Sequence, residues 1–446
     1  MVAIKPSDGT NDPVDRIASA LRRHAEPLPA PEQWEAFGQE FDRFGDASVV
    51  LLGASTHGTS EFHQARTAIT RRLIERHGFT LVCVEADWQD AARVDDYARH
   101  GPIKASRGVA FRSFPPWMWR NQEVMAFAEW MRSYNRELPV SRQASFHGLD
   151  VYSLCQSAEA VLSHLTRVDP EAAAETVRRY GCLSPWQDRP APYGRSMAYG
   201  GRDPCEGRLV AQLCELLTRR LTDLEKDGEA WLDAAQRARI VREAERYYRI
   251  MYRSSTESWN LRDRHMFDML QALIAHRGPG TKALVWAHNV HVGNAAATSM
   301  GWQGQFNVGQ LCRLAHRDKA VLIGFGTDSG SFAAASDWGA GMAIRTLRPA
   351  RQDSYEHAFR EAGAEFSLTD WRSPDRKLLA GPLRGPLLER AVGAVYRPDS
   401  ELLSHYFEAV LSEQFDAFVW FDSTTPVVPV ERERPHGGAE ADPFGR

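Results

Sequence analysis

The sequence predicts an α/β fold, with a mostly parallel central sheet flanked by helices and a large helical insertion that forms a cap over one edge of the sheet. Apolar runs suited to buried strands, such as Val49 to Leu52 and Thr80 to Ala86, alternate with helical periodicity early in the chain. Residues 152–277 then show helical periodicity alone. The strand pattern returns at Lys282 to Ala287.

The same pattern divides the chain into segments. We predict a lead-in and helix at 1–30, the first part of the α/β core at 31–151, the helical cap at 152–277, the second part of the core at 278–430, and a polar tail at 431–446. A chain of 446 residues fits one large or two ordinary domains, and its apolar fraction of 43% supplies a sizeable core.

Charge and composition exclude several classes of partner. Lys and Arg number 54 against 58 Asp and Glu, a net charge of -4, with no block of like charge. We therefore expect neither nucleic acid nor a membrane surface as a partner, while the oligomeric state does not follow. The N-terminus resembles neither a secretory nor a transit peptide, and we expect a cytoplasmic protein. The six cysteines form no C-x-x-C pair, so we expect most to be reduced.

The first predicted strand leads to a histidine. After a helix from Val14 to His24, the strand Val49 to Leu52 ends in a loop bracketed by Gly53 and Gly58, with His57 inside it. Ligands of open α/β sheets bind beyond the carboxyl ends of strands, so this imidazole is placed for chemistry. The alternative is an incidental histidine at the start of the next helix, where a nearby Thr or Ser serves only as a cap.

The second predicted strand brings a carboxylate to the same edge. A helix at 60–76 and the strand Thr80 to Ala86 follow with short links, which predicts a parallel crossover. Glu85, at the end of that strand, is thereby placed at the same edge as His57.

Aromatic and acidic groups follow along the chain. Trp117 and Trp119 lie in a proline-rich corner, where they either pack together or line an apolar pocket wall. A further strand at 144–148 is followed by Asp150 at the same kind of edge.

After the predicted cap, the strand at Lys282 to Ala287 is followed at once by His288 and His291. The remaining elements are predicted as strands at 321–325, 393–396 and 417–421, a glycine-rich exit loop after the first of these, and a helix at 402–411.

Titratable groups at three strand ends indicate a hydrolase. His57, Glu85 and the pair of His288 and His291 could supply a general base, its carboxylate partner and donors for an oxyanion. Arg66, on the helix after the loop, could hold Glu85 in a bidentate pair; the alternative is a solvated helix arginine. No serine stands in a G-x-S-x-G elbow, which favours direct attack by water.

A metal site is the competing chemistry. A divalent metal could be held by His57, Glu85, His288 and His291, with Glu61 as a further oxygen ligand. No H-E-x-x-H or comparable spacing is present. We therefore predict no cofactor and keep the divalent metal as the alternative.

Several motifs together resemble one family. They are, in order, Gly-x-x-Thr-His-Gly-Thr-Ser-Glu-Phe at 53–62, Glu-Ala-Asp-Trp at 85–88, Trp-x-Trp at 117–119, Gly-Leu-Asp-x-Tyr at 148–152, Asn-x-Arg-Asp-x-x-Met at 260–266 and Trp-Ala-His-Asn-x-His at 286–291. This series resembles the erythromycin esterase-like family, whose members also carry a succinoglycan-biosynthesis label, over roughly residues 30–425.

The resemblance implies hydrolysis of an ester or lactone, such as that of a macrolide, by attack of water. It implies His57 as general base, Glu85 and Arg66 as its partners, and His288 with His291 as groups that bind substrate or stabilise the tetrahedral intermediate. It also implies a helical cap over the active-site edge. We expect a small-molecule substrate, large and partly apolar, with candidate binding residues Glu61, Trp117, Trp119, Asp150 and Arg262.

The chain departs from the family pattern at Ala54, where members usually have a glutamate three residues before the histidine. Two alternatives to hydrolysis therefore stay open. One is a biosynthetic enzyme that eliminates, cyclises or isomerises a polyketide-like or glycan substrate on the same scaffold. The other is a binding protein without turnover.

Overall fold

The computed structural model describes residues 12–99, 115–186, 195–197, 205–218, 220–372 and 381–430. Residues 1–11 of the predicted lead-in and the predicted polar tail at 431–446 lie outside these ranges.

A sheet of nine strands, counted over the described residues, forms the centre of the fold. The described residues form eleven strands in all, and nine of them belong to this sheet: β1 (Glu26–Pro27), β2 (Val49–Leu52), β3 (Phe79–Asp87), β4 (Ser145–Asp150), β5 (Lys282–Trp286), β6 (Ala320–Ala335), β7 (Met342–Thr346), β8 (Phe366–Asp370) and β11 (Ala417–Thr424). The other two are β9 (Leu387–Arg390) and β10 (Tyr406–Ala409). The sheet has the order β1-β8-β11-β6-β2-β5-β3-β4, and β7 pairs with β6. Strands β9 and β10 form a separate antiparallel pair.

The sheet is mostly parallel, which confirms the predicted fold class. Strands β11, β6, β2, β5, β3 and β4 are parallel to their neighbours in this order, whereas β1, β7 and β8 pair antiparallel. Strand β5 follows the helical region in sequence, yet it lies between β2 and β3. The helical insertion therefore interrupts the chain but not the sheet.

Helices cover the sheet and form the insertion. They are α1 (Pro13–His24), α2 (Trp34–Gln39), α3 (Ser60–His77), α4 (Trp88–Arg99), α5 (Gln122–Asn135), α6 (Leu154–Val168), α7 (Pro170–Tyr180), α8 (Glu206–Thr218), α9 (Arg220–Ile250), α10 (Ser255–Arg277), α11 (Asn289–Val292), α12 (Ser299–Trp302), α13 (Val308–His316), α14 (Tyr355–Ala362), α15 (Glu401–Ser404) and α16 (Leu411–Gln414). Within the described part of 152–277 the regular elements are all helical. Among the described helices, none combines the length and apolarity that crossing a bilayer requires.

Strand β2 is apolar along its whole length because both of its faces are buried. All four of its residues are fully buried. Val50 and Leu52 belong to the core that packs against α2, α3 and α5. Val49 and Leu51 face the opposite core, which includes side chains of α1, α10, α13 and α14. A strand covered on both faces has no solvent side for polar residues.

The predicted glycine-rich exit loop after 321–325 is wrong, because β6 continues to Ala335 as a strand. Its glycines allow close packing. A Cβ at Gly324 would lie 2.7 Å from a ring carbon of Phe418, and one at Gly326 would lie 2.6 Å from the same ring. The aromatic ring thus occupies the space that a side chain would need.

The predictions for the last part of the chain are also corrected. The segment 393–396 makes only an isolated bridge to β6, through Val395, and forms no regular strand. The predicted helix at 402–411 is instead the short α15 followed by β10. Pairing with β9 determines the conformation of β10, and a single-sequence pattern does not contain that tertiary partner.

The cysteines are divided between a bridge and the core. Cys182 and Cys205 form a disulfide within the helical region, so the expectation that most cysteines are reduced does not extend to this pair. Cys83 and Cys312 are buried thiols in the core.

Candidate active site

Four neighbouring strands bring the predicted groups together. In the order β2, β5, β3 and β4, the sheet carries His57 just beyond β2, His288 just beyond β5, Glu85 near the end of β3, and Asp150 as the last residue of β4. The strands are parallel, so these carboxyl ends lie on one edge. The prediction of a shared edge is therefore confirmed.

The loop that carries His57 is fixed by main-chain hydrogen bonds. The N–H of Gly53 donates to Ile323 O at 2.8 Å, and the N–H of Val392 donates to Ser55 O at 2.7 Å. Gly58 O accepts from two N–H groups, those of Ala333 and Val427, each at 3.0 Å. A loop bonded along its length places its imidazole without a further ordering cost on binding.

Gly58 is required by this packing. A Cβ there would lie 1.9 Å from the carbonyl oxygen of Ala333, much closer than any non-bonded contact. The alternative view of the loop as a helix cap has less support, since Thr59 makes no side-chain capping bond to α3. Its hydroxyl contacts that of Thr56 instead.

The surroundings of His57 determine its protonation state. The residue is partly exposed, and its ring centroid lies 4.9 Å from that of His288. Surrounding protein atoms lower its pKa well below 6.5 by desolvation, and the charge of Glu85 opposes this only in part. At neutral pH the ring is therefore an uncharged base.

His288 is neutral with a defined tautomer. Its Nδ1 accepts the N–H of Val290 at 3.3 Å, so the single proton of the neutral ring sits on Nε2. Burial lowers its pKa to about 4, against the opposing charge of Glu85. Nε2 is buried and has no partner at normal hydrogen-bond geometry among the described residues, although the main chain of Ser55 acts on the ring and raises its pKa.

The predicted Arg66–Glu85 pair does not form. Arg66 is buried, and it donates from Nε to Gly53 O at 2.8 Å and from Nη2 to Ala287 O at 2.6 Å. These carbonyls follow β2 and β5, so the guanidinium ties the loop of His57 to the loop of His288. Arg66 positions the site through main-chain carbonyls, and Glu85 has other partners.

Glu85 is an anion held by donors on both oxygens. Oε1 accepts from Arg262 Nη2 at 2.8 Å, and Oε2 accepts from the main-chain N–H of His288 at 2.9 Å. Burial alone would raise its pKa, but the charges of His291 and Arg262 outweigh burial and hold the pKa well below 4.5. The indole N–H of Trp119 donates to the carbonyl of Glu85 at 3.0 Å.

Arg262 enters the site from α10 and is fully engaged by protein groups. It forms a bidentate pair with Asp150 at 2.9 and 2.6 Å and also bonds Glu85. Its guanidinium carbon lies 5.2 Å from the ring centroid of Tyr152. Asp150 and Arg262 were predicted to bind substrate, which stays a prediction; in the structure Arg262 connects the carboxylate of Asp150 with that of Glu85.

His291 lies between two carboxylates. Its Nδ1 is 2.9 Å from one oxygen of Asp263 and 3.0 Å from the other, and its Nε2 is 3.3 Å from Glu85 Oε1. Burial acts to lower its pKa, but the charges of Asp263 and Glu85 outweigh burial and raise the pKa from 6.5 to about 9. The ring of Trp259 stacks on it at 4.6 Å.

The contacts of His291 Nε2 also depend on protonation. Arg262 Nη1 lies 2.9 Å away, which suits a neutral ring that accepts a hydrogen bond. The protonated ring instead donates to Glu85. We favour the protonated ring at neutral pH, because two buried carboxylates flank it.

Asp263 was missed among the predicted site residues. It is completely buried and also accepts the N–H of Val308 at 3.0 Å. Its position directly after Arg262, within the Asn-x-Arg-Asp motif, was the available indication.

Two predicted residues lie apart from this cluster. Glu61 accepts from the N–H and the hydroxyl of Thr425 at 2.8 and 2.7 Å, so its carboxylate fastens β11 to the start of α3. Trp117 is buried in the hydrophobic core. Their contacts give no support to a role in substrate binding.

The metal alternative gains no support from the geometry. Over the described ranges, no group of three or more His, Cys, Asp or Glu side chains is arranged to hold a metal ion. The absence of a cofactor stays a prediction, which metal analysis of the purified protein would test.

Comparison with known proteins identifies the family. The family model for erythromycin esterase matches residues 74–424. The chain belongs to the erythromycin esterase family. A Bacillus subtilis (strain 168) protein named "Putative hydrolase YbfO" is 19% identical, with 92% of each chain covered.

Solved structures share the fold of this erythromycin esterase family chain. A succinoglycan biosynthesis protein has a TM-score of 0.73 at 22% identity and covers 92% of this chain and 97% of its own. A Bacillus cereus protein has a TM-score of 0.74 at 19% identity, with 94% and 99% covered. A histidine mutant of the erythromycin esterase EreC, in its open conformation, has a TM-score of 0.65 at 19% identity, with 91% and 99% covered.

Proposed function

We propose that this protein is a hydrolase that cleaves an ester or lactone bond by direct attack of a water molecule that His57 deprotonates. The observation that carries the proposal is the neutral, partly exposed His57, held on a rigid loop beside the buried anion Glu85. Membership of the erythromycin esterase family supports a hydrolytic reaction. Direct attack by water agrees with the lack of a nucleophile elbow in the sequence.

The proton path follows from these charges. His57 takes a proton from water as the water oxygen bonds to the acyl carbon, and the carbonyl becomes an oxyanion. Glu85 stabilises the imidazolium that forms, because its charge acts to raise the pKa of His57. When the acyl C–O bond breaks, the imidazolium returns its proton to the leaving alkoxide.

We assign the oxyanion to His288. Its Nε2–H is a donor beside the ring of His57, and it has no partner at normal hydrogen-bond geometry within the described part of the chain. A fixed donor in a water-poor site stabilises developing negative charge without reorganisation, an effect typically worth about 2.7–4 kcal/mol. The N–H bond from His288 to Glu85 keeps the loop of this donor in place.

The remaining charges maintain Glu85 as an anion. Arg262 is shared between Glu85 and Asp150, and His291 is shared between Glu85 and Asp263. A buried carboxylate without such partners would take up a proton and lose its effect on His57. We therefore assign electrostatic support, rather than substrate contact, to Arg262 and His291.

We propose that the substrate is a small-molecule compound of considerable size that is partly apolar and contains an ester or lactone bond. EreC is an erythromycin esterase, so erythromycin is a suitable first probe, together with simple nitrophenyl esters. The cytoplasm is the proposed location.

Substitution of His57 tests the function. His57→Ala should lower kcat by 10²-fold or more with an unchanged circular dichroism spectrum, because general-base catalysis typically contributes that factor. His24→Ala, at the end of α1 and outside the site, is the matched control and should keep full activity. Full activity in His57→Ala would contradict the mechanism.

A non-hydrolytic reaction is distinguished by the product. Hydrolysis adds the mass of one water, whereas elimination, cyclisation or isomerisation does not. Ligand binding without any product on long incubation would favour the binding-protein alternative.

A further inference from the structure

A third buried carboxyl lies behind the candidate active site. Glu389, on β9, has no exposed surface. Its Oε1 accepts from the side-chain amide of Asn289 at 3.1 Å, and its Oε2 has no hydrogen-bond partner among the described residues. Asn289 directly follows His288 in the chain. Glu389 therefore holds the residue next to the proposed oxyanion donor.

Asn289 joins the ends of β2 and β5 to the interior of β6. Its main-chain N–H donates to Ala54 O at 2.8 Å, three residues before His57. Its side chain accepts from the N–H of Phe325 at 3.2 Å and donates to Phe325 O at 2.9 Å. The same amide oxygen lies 2.2 Å from where a Cβ of Gly53 would be. The second amide N–H of Asn289 is the one that bonds Glu389.

Among the described residues, no cation pairs with Glu389. The carboxyl of Glu356, on α14, acts on it electrostatically, and Glu356 Oε2 likewise lacks a hydrogen-bond partner in the described ranges. The neighbouring Arg390 donates instead to Tyr406 Oη at 2.8 Å and to the carbonyls of Asp328 and Arg348. The charge of Arg390 acts to lower the pKa of Glu356, whereas no cation among the described residues does so for Glu389, so the ionised form of Glu389 is the less favourable of the two.

Neutral groups complete the surroundings of Glu389. The side-chain amide of Gln414, on α16, also acts on the carboxyl of Glu389 as a hydrogen-bond donor and lowers its pKa, but burial and the charge of Glu356 outweigh this effect. The phenol of Tyr355 is uncharged, since burial raises its pKa, and it bonds Gly385 O and Ala409 O.

We propose that Glu389 is a positioning residue that works as a neutral carboxylic acid and holds Asn289, so that the loops of His57 and His288 keep their spacing. The catalytic part of this inference rests on the proposed hydrolase function. Burial first, and then the charge of Glu356, raise the pKa of Glu389 from 4.5 to about 8, which agrees with a neutral group at neutral pH.

The sign of the pH effect follows from linkage. In the unfolded chain Glu389 ionises near pH 4.5, whereas in the folded protein it keeps its proton up to about pH 8. The folded state binds the additional proton in this window, so Glu389 makes the fold less stable as pH rises from 4.5 to 8. A glutamine cannot ionise and removes this loss.

The experiment compares Glu389→Gln, Glu389→Ala and the matched control Glu408→Gln. Glu408 is exposed on β10 and lies opposite Leu388 in the same strand pair. We expect the urea midpoint of Glu389→Gln to rise above wild type by an amount that grows from pH 5 to pH 8. Glu408→Gln should show no such growth. In the activity arm, Glu389→Gln should keep kcat within about twofold, and Glu389→Ala should lose tenfold or more in kcat with little change in KM.

Two results would overturn the inference. One is a Glu389→Gln midpoint that falls below wild type at pH 7, as expected if an ionised Glu389 binds a cation; calorimetric titration with CaCl₂ would then show binding. The other is a midpoint difference that does not change with pH. The urea measurements require no substrate. A lack of turnover in wild type would therefore contradict the proposed function, while the urea midpoints would still test the neutral state of Glu389.

Discussion

Replacing Asp263 by Asn should remove a pH-dependent contribution to stability from the centre of the site. Asparagine keeps an oxygen that can accept the Nδ1–H of His291 but has no charge. Asp263 and Glu85 together raise the pKa of His291 from 6.5 to about 9. A tenfold change in proton affinity is about 1.4 kcal/mol, so the elevation represents on the order of 3 kcal/mol.

The carboxylate offsets part of this amount. Burial raises the pKa of Asp263 by more than the charges of His291 and Arg262 lower it. The desolvation of Asp263 therefore offsets part of the stabilisation that the protonated His291 contributes to the free energy of unfolding. We expect wild type to exceed Asp263→Asn by roughly 2 kcal/mol in free energy of unfolding where His291 is protonated.

The pH dependence gives the prediction its sign. Folded His291 keeps its proton up to about pH 9, whereas the unfolded chain releases it near pH 6.5. The stabilisation is complete below pH 6.5 and is lost as pH rises through 9. Urea unfolding at pH 6 and at pH 9.5 should show a larger deficit for Asp263→Asn at pH 6.

The control and the contrary outcome are both accessible. Asp46→Asn removes an exposed carboxylate and should show no pH-dependent deficit. A deficit of Asp263→Asn that is equal at the two pH values, or larger at pH 9.5, would refute the assignment of charge to His291.

Two further substitutions test how the site is positioned. Gly58→Ala should lower kcat tenfold or more, because its Cβ would lie 1.9 Å from a carbonyl oxygen of β6; Gly207→Ala, in open space on α8, should leave kcat unchanged. An active Gly58→Ala would show that the loop tolerates displacement. Arg66→Lys should lower the free energy of unfolding by about 1–3 kcal/mol in urea titration, because one ammonium cannot span the carbonyls of Gly53 and Ala287. An unchanged stability would remove Arg66 as the link between the loops.

The sheet and the location of the site were predictable because local pattern determines them. The apolar runs at β2, β3 and β5 can only be strands buried on both faces, and parallel strands necessarily gather their carboxyl ends. His57, Glu85 and His288 therefore meet at one edge. The order in which β5 enters between β2 and β3 is a tertiary fact that the pattern does not contain.

Side-chain partners were less predictable. Arg66 was predicted to pair with Glu85 from its planar, charged fork and the family resemblance, but its guanidinium reaches two carbonyls. Arg262, 177 residues after Glu85, supplies the cation. The neutral state of Glu389 depends on burial and on Glu356, which the sequence does not reveal. Long-range burial, rather than residue type, determines these roles.

The most direct test of the proposed reaction is the mass of the product formed in H₂¹⁸O. In H₂¹⁸O, wild-type enzyme should convert erythromycin to a ring-opened hydroxy acid that is heavier than the substrate by one labelled water, and a nitrophenyl ester to the free acid and nitrophenol. Each acid should contain a single ¹⁸O. His57→Ala should give no such product above background. A wild-type product without ¹⁸O, or an equal yield from His57→Ala, would contradict hydrolysis by a water that His57 activates.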